Sequence, residues 1–283
     1  MKVKFWGVRG SIPCPGTRTA GFGGNTSCVQ VLDGKNIIIL DAGTGIRELG
    51  LELVARDEPL VVHMLISHTH WDHIQGFPFF LPIFNKRNRI YIYGPRALRR
   101  SIKDVLLWQM QYSYFPILGA ELAAGFHFRD VENETFAIGN LTVSTHVMNH
   151  PIKVIAYRVA DGGKSVLYTG DNEPYNEQQL RKFGKGGLRK LDRFVKGTDL
   201  LIADAQYTDA EYEYKKGWGH STISQAINLA AANDVRKLAF FHHEPTHGDA
   251  DLRWLEKAAV RYAAERSRRL KVFMAREREI LTV

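Results

Sequence analysis

Cysteine is scarce in this chain, with only Cys14 and Cys28 among 283 residues. Two cysteines cannot build a framework of several disulfides, and neither lies in a C-x-x-C pair. No apolar run reaches the ~18 residues that a membrane span requires. The opening stretch, MKVKFWGVRG, alternates like a strand and lacks the apolar core of a signal peptide. These absences predict a cytoplasmic protein that has no membrane partner.

The chain has a formal net charge of +8, and its basic residues are unevenly distributed. The stretches NKRNRIYIYGPRALRRSIKD (85–104) and RKFGKGGLRKLDRFVK (181–196) are both strongly basic. Such stretches are either solvated surfaces or binding regions for an anionic, phosphate-bearing substrate. The composition leaves both interpretations open.

The pattern of apolar residues indicates an α/β fold. Strands are expected in both halves of the chain with helices between them, and no Pro/Gly/Ser-rich linker divides it, so residues 1–283 are predicted to form a single domain. Thr44 is the expected cap of the first helix. Thr222 and Gln225 form a T-x-x-Q capping box for a later helix. Residues 111–125 are expected to form a loop with a broken helix.

The stretch LISHTHWDHIQG (65–76) places three histidines and one aspartate directly after a continuous apolar strand. Histidine and carboxylate side chains are usual ligands of zinc, iron and manganese. His68 and His70 are two residues apart, so on a turn both imidazoles can face one ion. Asp72 and His73 can then face a second ion. Because each ion needs at least three protein ligands and an open position for water, further ligands must come from elsewhere in the chain.

Three other places carry a histidine or an aspartate directly after a short apolar strand. His150 follows LTVSTHVM, Asp171 follows VLYTG, and His242 and His243 follow KLAFF. A lone residue of this kind is more often structural than metal-binding. Their recurrence at strand ends, together with the dense cluster, predicts a metal site that is assembled from distant parts of the sequence.

The order H-x-H-x-D-H, an isolated His, an Asp after T-G and a late His resembles the signature of the metallo-β-lactamase superfamily. The resemblance implies an αββα four-layer sandwich with two divalent metal ions at one edge of its two sheets. Zinc is the first expectation, with manganese and iron as alternatives. His242 is preferred to His243 because relatives place their late histidine immediately after the strand. The implied ligands are His68, His70 and His150 for one ion, Asp72, His73 and His242 for the other, and Asp171 as the bridge between them.

The stretch GWGHSTISQA carries a second motif, G-H-S-T, at the start of a predicted helix. A helix N-terminus offers backbone N–H groups to an anion, and His220 there could protonate a leaving alkoxide. The motif resembles that of ribonuclease Z and related phosphodiesterases, in which this histidine assists catalysis. Asp204 matches the glutamate that orients that histidine, whereas Ala203 and Gln206 depart from the pattern. Together with Asp72 of the cluster, His220 and Asp204 are therefore the predicted catalytic residues.

The substrate is less constrained than the metal site. A hydroxide bridging two ions ~3.5–4 Å apart attacks phosphodiesters, carboxyl esters, thioesters and lactones with little change. His220 favours a phosphodiesterase, and the region between Ile90 and Val131 lacks the Gly- and Pro-rich arm of transfer-RNA 3′ processing enzymes. We therefore expect an anionic small molecule such as a cyclic nucleotide, with short RNA second and an ester, thioester or lactone as the further alternative.

Two smaller points stay open. The aromatic stretch WQMQYSYF (108–115) could stack on a nucleobase, although a packed core segment is the preferred interpretation. A homodimer is compatible with the sequence, which does not determine the number of subunits.

Overall fold

The structure, a computed structural model, describes residues 1–34, 36–96, 99–175 and 185–283. The chain divides into two compact units. Unit 1 comprises Met1–Glu132 and Arg276–Thr282, and unit 2 comprises Asn133–Ala275 and Val283. The expectation of a single domain over residues 1–283 stays a prediction.

A seven-stranded mixed sheet forms the centre of unit 1. Its strands are β1 (Lys2–Gly7), β2 (Cys28–Asp33), β3 (Asn36–Leu40), β4 (Val61–Leu65), β5 (Arg89–Gly94), β6 (Gly125–Asp130) and β14 (Ile280–Thr282). Their order is β14-β1-β2-β3-β4-β5-β6. The pairs from β14 to β3 are antiparallel, and those from β3 to β6 are parallel. Within β4, Val62, Met64 and Leu65 are buried, whereas Val61 is exposed and His63 is half-buried, so this apolar strand is only partly buried.

Helix α1 (Ile46–Val54) packs its apolar stripe on this sheet. Ile46, Leu49 and Leu53 are buried in one cluster with side chains of β3, β4 and β5. The predicted cap was wrong: Gly45 is the N-cap residue and supplies no side-chain hydrogen bond. The Thr44 hydroxyl is used elsewhere, because it accepts the Thr26 N–H at 2.9 Å.

Two further α-helices of unit 1 are short. Helix α2 (Trp71–Ile74) lies within the histidine-rich stretch. Helix α3 (Ile102–Trp108) is capped by the side chain of Ser101. Residues 97 and 98, shortly before α3, lie outside the described residues. The segment expected to be a loop, 111–125, contains one 3-10 turn, Gly119–Glu121.

Unit 2 is organised around its own seven-stranded mixed sheet. Its strands are β7 (Thr135–Ile138), β8 (Leu141–Met148), β9 (Val154–Ala160), β10 (Ser165–Tyr168), β11 (Leu200–Asp204), β12 (Lys237–Phe241) and β13 (Lys271–Met274). Their order is β13-β12-β11-β10-β9-β8-β7. The pairs from β7 to β10 are antiparallel and those from β10 to β13 are parallel. The carboxyl ends of β10, β11 and β12 therefore meet at the same edge of this sheet.

The described helices of unit 2 are α4 (Lys185–Val195), α5 (Asp209–Tyr212), α6 (Ile223–Ala232) and α7 (Asp249–Arg266). The predicted capping box of α6 is confirmed, since the Thr222 side chain accepts from the Gln225 N–H and Gln225 accepts from the Thr222 N–H. Part of the basic stretch at 181–196 lies outside the described residues. Among the residues that the structure describes, no helix is long and apolar enough to cross a membrane.

Candidate metal centre

The first cluster of predicted ligands lies in unit 1, between the end of β4 and α2. His70 is the N-cap residue of α2, and Asp72 and His73 lie within that helix. The ring centroid of His68 lies 4.6 Å from that of His70 and 4.2 Å from that of His73. His68 and His73 are fully buried, and Asp72 is nearly so. The local fold therefore brings the four side chains together, as their spacing predicts.

Asp41, a residue that the sequence motifs did not identify, orients the buried histidines of this cluster. Its carboxylate accepts the Ser67 hydroxyl at 2.7 Å and His73 Nδ1 at 2.7 Å. Since the Ser67 proton goes to Asp41, the Ser67 oxygen accepts from His68 Nδ1 at 3.1 Å. Both imidazoles therefore carry their proton on Nδ1 and the lone pair on Nε2. The sequence contains a pattern that could have identified Asp41, because Asp41 follows the apolar strand β3 just as Asp171 follows a strand.

Asp72 lies on the Nε2 side of His73. Asp72 Oδ2 is 3.3 Å from His73 Nε2, and the same oxygen accepts the backbone N–H of Ser11 at 2.8 Å. A carboxylate oxygen and an imidazole nitrogen at this separation can both coordinate one divalent ion. The bond from Ser11 fixes the carboxylate in this position.

Unit 2 carries the other predicted ligands, each just after the strand that the sequence indicates. Strands β8, β10 and β12 end within three residues of His150, Asp171 and His242 respectively. Asp171 and His242 are buried, and His242 Nε2 lies 3.4 Å from Asp171 Oδ1. Within unit 2 the structure therefore places the predicted bridging carboxylate beside the predicted late histidine.

The two histidines after β12 point to different partners. His242, beside Asp171, has a left-handed backbone with φ of 61°. His243 Nε2 lies instead 2.8 Å from the carbonyl oxygen of Ala275. Because a carbonyl only accepts, His243 Nε2 carries a proton and is not a ligand atom. This geometry favours His242 over His243 as the metal ligand.

Gln206 fixes the tautomer of His242. Its Nε2 donates to Glu244 Oε2 at 2.7 Å, which identifies the other amide atom as the oxygen. That oxygen lies 3.1 Å from His242 Nδ1, so Nδ1 donates and Nε2 carries the lone pair. Gln206 departs from the motif of the family that the sequence resembles, and its position in the sequence predicted no role for it. In the structure, Gln206 orients the predicted ligand His242 through a hydrogen bond to its Nδ1.

His150 is oriented by a glycine loop. His150 Nδ1 donates to the carbonyl oxygen of Gly219 at 2.8 Å. The buried Glu173 holds this loop, because its carboxylate accepts the N–H groups of Gly217 at 2.8 Å and of Gly219 at 2.9 Å. Burial lowers the pKa of His150, against opposing contributions from Asp171 and the Gly219 carbonyl. The neutral imidazole, which is the form that binds metals, is therefore favoured.

His220 and Asp204 form a hydrogen-bonded pair in unit 2. His220 Nδ1 lies 2.9 Å from Asp204 Oδ2, and the Asp204 carboxylate also accepts the N–H groups of Asn172 at 3.0 Å and Gln206 at 3.1 Å. The His220 ring stacks on that of His242, with centroids 4.8 Å apart. The structure thus gives Asp204 the position expected of the residue that orients His220.

The start of α6 differs from the expectation that it offers amides to an anion. The Thr222 N–H donates to Gln225 Oε1 at 2.8 Å, and the Gln225 N–H donates to Thr222 Oγ1 at 3.2 Å. The Ile223 N–H donates to the Tyr207 carbonyl at 3.1 Å. Because these three N–H groups donate within the protein, they do not form the anion site that was predicted at this helix start, and the prediction is wrong for them. His220 is the group here that could contact a phosphate.

The chemistry of the donor atoms fits divalent metal ions. His68, His73, His150 and His242 each use Nδ1 to donate to a fixed acceptor, which leaves Nε2 as the coordinating atom. This is the arrangement in which proteins present histidine to a metal. Asp72 and Asp171 add carboxylate oxygens next to two of these nitrogens. A set of imidazole and carboxylate ligands without thiolates suits zinc, iron or manganese.

Comparison with known proteins gives consistent results. A family model described as a beta-lactamase superfamily domain matches residues 36–243. A ribonuclease Z from Lactococcus lactis is 25% identical, over 86% of this chain and 88% of that protein. The metallo-beta-lactamase fold protein YhfI from Bacillus subtilis superposes with a TM-score of 0.70 at 19% identity, covering 99% of this chain and 98% of that one. A diphosphatase from the PhnP family gives a TM-score of 0.71 at 15% identity, covering 100% and 97% of the two chains.

These likenesses confirm the predicted fold class, since the family model matches most of the chain and YhfI, a metallo-beta-lactamase fold protein, superposes along nearly all of it. The curated relative adds the sequence evidence for a ribonuclease Z-like branch. The roles of the individual ligands and catalytic residues stay predictions.

Proposed function

The chain belongs to the metallo-β-lactamase superfamily, in its ribonuclease Z-like branch, and we propose that it is a two-metal phosphodiesterase that acts on a small phosphodiester such as a cyclic nucleotide. It is an enzyme, a hydrolase of this superfamily. We propose both the substrate of this enzyme and the number and identity of the metal ions that it binds.

The ligands in this proposal come from both groups of residues. Each ion needs at least three protein ligands, and neither group by itself supplies enough for two ions. When bound, two divalent cations would activate water and stabilise negative charge on the phosphoryl oxygens. Zinc is the preferred metal, with manganese or iron as alternatives. The proposed ligands are His68, His70 and His150 for one ion, Asp72, His73 and His242 for the other, and Asp171 between them.

The pair of His220 and Asp204 is the single observation that favours a phosphodiester. Asp204 accepts the Nδ1 proton of His220 at 2.9 Å, and its negative charge stabilises the protonated imidazole. His220 Nε2 can then donate to a phosphoryl oxygen or pass its proton to the leaving alkoxide. An ester, thioester or lactone hydrolase could use the same metal ligands without this pair. The names of the ribonuclease Z relative and the diphosphatase neighbour also support chemistry at phosphorus.

RNA 3′ processing of the ribonuclease Z type is the second candidate, and the curated relative favours it. The net charge of +8 suits either a nucleotide or a short RNA. A substrate panel with zinc, manganese or iron supplied separately separates the candidates. It should contain adenosine 2′,3′-cyclic phosphate, a bis-aryl phosphate, a transfer-RNA precursor, a lactone and a thioester. Turnover of the small phosphodiesters is expected, and turnover of the lactone or thioester alone would contradict the proposal.

Replacing His220 tests its role directly. The His220→Ala variant should keep its metal content and lose ~10²–10⁴-fold in phosphodiester turnover, the usual contribution of general acid–base catalysis. Asp204→Asn should lose less, because it disturbs only the orientation of His220. His247→Ala is the matched control, since His247 also pairs with a carboxylate, Glu211, at 2.8 Å.

The His247→Ala control should retain the wild-type turnover. Loss of metal from His220→Ala would instead identify His220 as a ligand. Unchanged phosphodiester turnover in that variant would remove it from the catalytic mechanism.

A further inference from the structure

A cavity of about 590 Å³ adjoins the histidine-rich stretch within unit 1. Thr69 and Trp71 form one wall, and they alternate in sequence with His68, His70 and Asp72. The end of α3 and the segment after it also line the cavity, with residues that include Trp108 and Tyr114. A molecule in this cavity would therefore contact residues directly adjacent in sequence to three predicted metal ligands.

Five aromatic side chains line this cavity, and four of them are exposed. Trp71 is 76% exposed, Tyr114 69%, Phe79 54% and Trp108 42%. Phe79 is held by an edge-to-face contact with Phe115, with ring centroids 5.5 Å apart. The preferred interpretation of 108–115 as a packed core segment is therefore wrong for Trp108 and Tyr114. Flat aromatic faces open to solvent are suited to stacking on a planar ring.

Polar groups line the same cavity. Gln109 and Ser113 contribute an amide and a hydroxyl. The Gln109 amide is fixed in place, because its Nε2 donates to the Ile74 carbonyl at 3.2 Å. A few fixed polar groups among apolar walls are typical of small-molecule sites, and the volume lies within their usual range of ~300–1,000 Å³. These groups could hydrogen-bond the edge of a heterocyclic base.

Positive charge lies over the Trp108 ring. The Arg100 guanidinium lies 3.4 Å from the centroid of the Trp108 ring. Arg100 and Lys103 line an adjoining cavity of about 510 Å³ that shares Trp108 with the first one. Asp104 also lines it, but its carboxylate is engaged by the N–H and hydroxyl of Ser101. An anionic group is therefore favoured beside the aromatic cavity.

We infer that the aromatic cavity binds the nucleobase of the substrate, so that the substrate class is a nucleotide rather than a simple alkyl phosphodiester. The inference rests on the proposed phosphodiesterase function and deepens it. Stacking between Trp108 and Tyr114 gives affinity for any base, and the amide of Gln109 gives a preference among bases. The cations Arg100 and Lys103 take a neighbouring phosphate of a longer substrate.

The test compares a nucleotide with the sugar phosphate that lacks its base. Titration calorimetry on the metal-loaded protein measures the affinity for adenosine 5′-monophosphate and for ribose 5-phosphate. Wild type should bind the nucleotide about 5- to 150-fold more tightly, the gain expected from stacking one base. Trp108→Ala and the more exposed Tyr114→Ala should both reduce this ratio toward one, whereas Tyr114→Phe should keep it because the ring remains.

Trp254→Ala is the matched control, since Trp254 is an exposed tryptophan of α7, 66% exposed; it should keep the wild-type ratio. Equal affinities of wild type for the two ligands, or a ratio that no cavity variant changes, would overturn the inference. So would a shift from dimer to monomer in Trp108→Ala without a change in the ratio, because the cavity would then be an interface between copies. Binding needs no turnover, so a protein that selects the base but hydrolyses no phosphodiester would retain the base site and refute the proposed function.

Discussion

At the scale of single residues, the common feature of the site is the fixed proton on histidine Nδ1. Four different acceptors produce it: Ser67, Asp41, Gly219 and Gln206. Each acceptor fixes the tautomer and the orientation of one imidazole ring, so that the lone pair lies on Nε2. Two of these acceptors, Ser67 and Gly219, lie within the quoted motifs, but none of the four was predicted to orient a ligand.

Asp171 is the residue whose loss should affect the site most. It is proposed to contact both ions, and it is buried next to His242 Nε2 at 3.4 Å. Asp171→Ala should therefore lower the metal content at both positions and abolish hydrolysis. Asp161→Ala is the matched control, since its carboxylate lies at a surface turn and accepts the N–H groups of Gly163 and Lys164. Elemental analysis and turnover of both variants measure the difference.

Equal metal content in these two aspartate variants would rule out a bridging role for Asp171. A loss of one ion with the other retained would make Asp171 a ligand of a single ion.

The sequence points to candidate ligands but not to the residues that orient them. His68, His70, Asp72 and His73 share one short stretch, so their proximity is local. Asp41 and Gln206, in contrast, reach their histidines over 32 and 36 residues. A contact of this kind depends on which strands pair, and no spacing in a single sequence determines that pairing.

At the scale of elements, the loop 217–219 connects the proposed catalytic histidine, His220, to the predicted ligand His150. Glu173 holds the loop through two backbone amides, the Gly219 carbonyl orients His150, and His220 follows directly. The position of His150 therefore depends on a backbone conformation to which the buried carboxylate of Glu173 contributes two hydrogen bonds.

Gly219→Ala tests this dependence. Gly219 has φ of +95°, and an added Cβ would collide with the His150 ring. Gly217→Ala is the matched control, because Gly217 also has a positive φ, +88°, but open space around its Cβ position. Backbone strain should cost about 1–2 kcal/mol of folding free energy in both variants. Only Gly219→Ala should also lose metal and turnover.

The comparison of the two glycine variants uses denaturant unfolding for stability and elemental analysis for metal. Equal metal content in both would mean that the Gly219 loop does not position His150.

Features that depend on contacts between residues close in sequence can be predicted from the sequence. The capping box of Thr222 and Gln225 is confirmed, because both partners lie within one turn. The cap at Thr44 was wrong because Asn25 and Thr26 compete for that hydroxyl from a distant loop. The exposure of Trp108 and Tyr114 was also missed, since an apolar stretch by itself does not reveal whether it meets a core or lines a cavity.

At the scale of the whole molecule, each unit repeats one plan, a mixed sheet with an antiparallel and a parallel half. The sequence predicts the α/β class from its alternating strands and helices, but not the strand orders, which depend on long-range pairing. The family match over residues 36–243 includes every proposed ligand. The proposed phosphodiesterase activity, with its two bound ions, is a property of the whole protein.

The most direct test measures metal content and turnover on the same preparation. Protein purified without chelator should contain close to two equivalents of zinc, manganese or iron per chain and should hydrolyse adenosine 2′,3′-cyclic phosphate. Chelation should remove the metal and the turnover together, and adding back the metal should restore both. Absence of bound metal after reconstitution, or full turnover by the chelated protein, would contradict the two-metal mechanism.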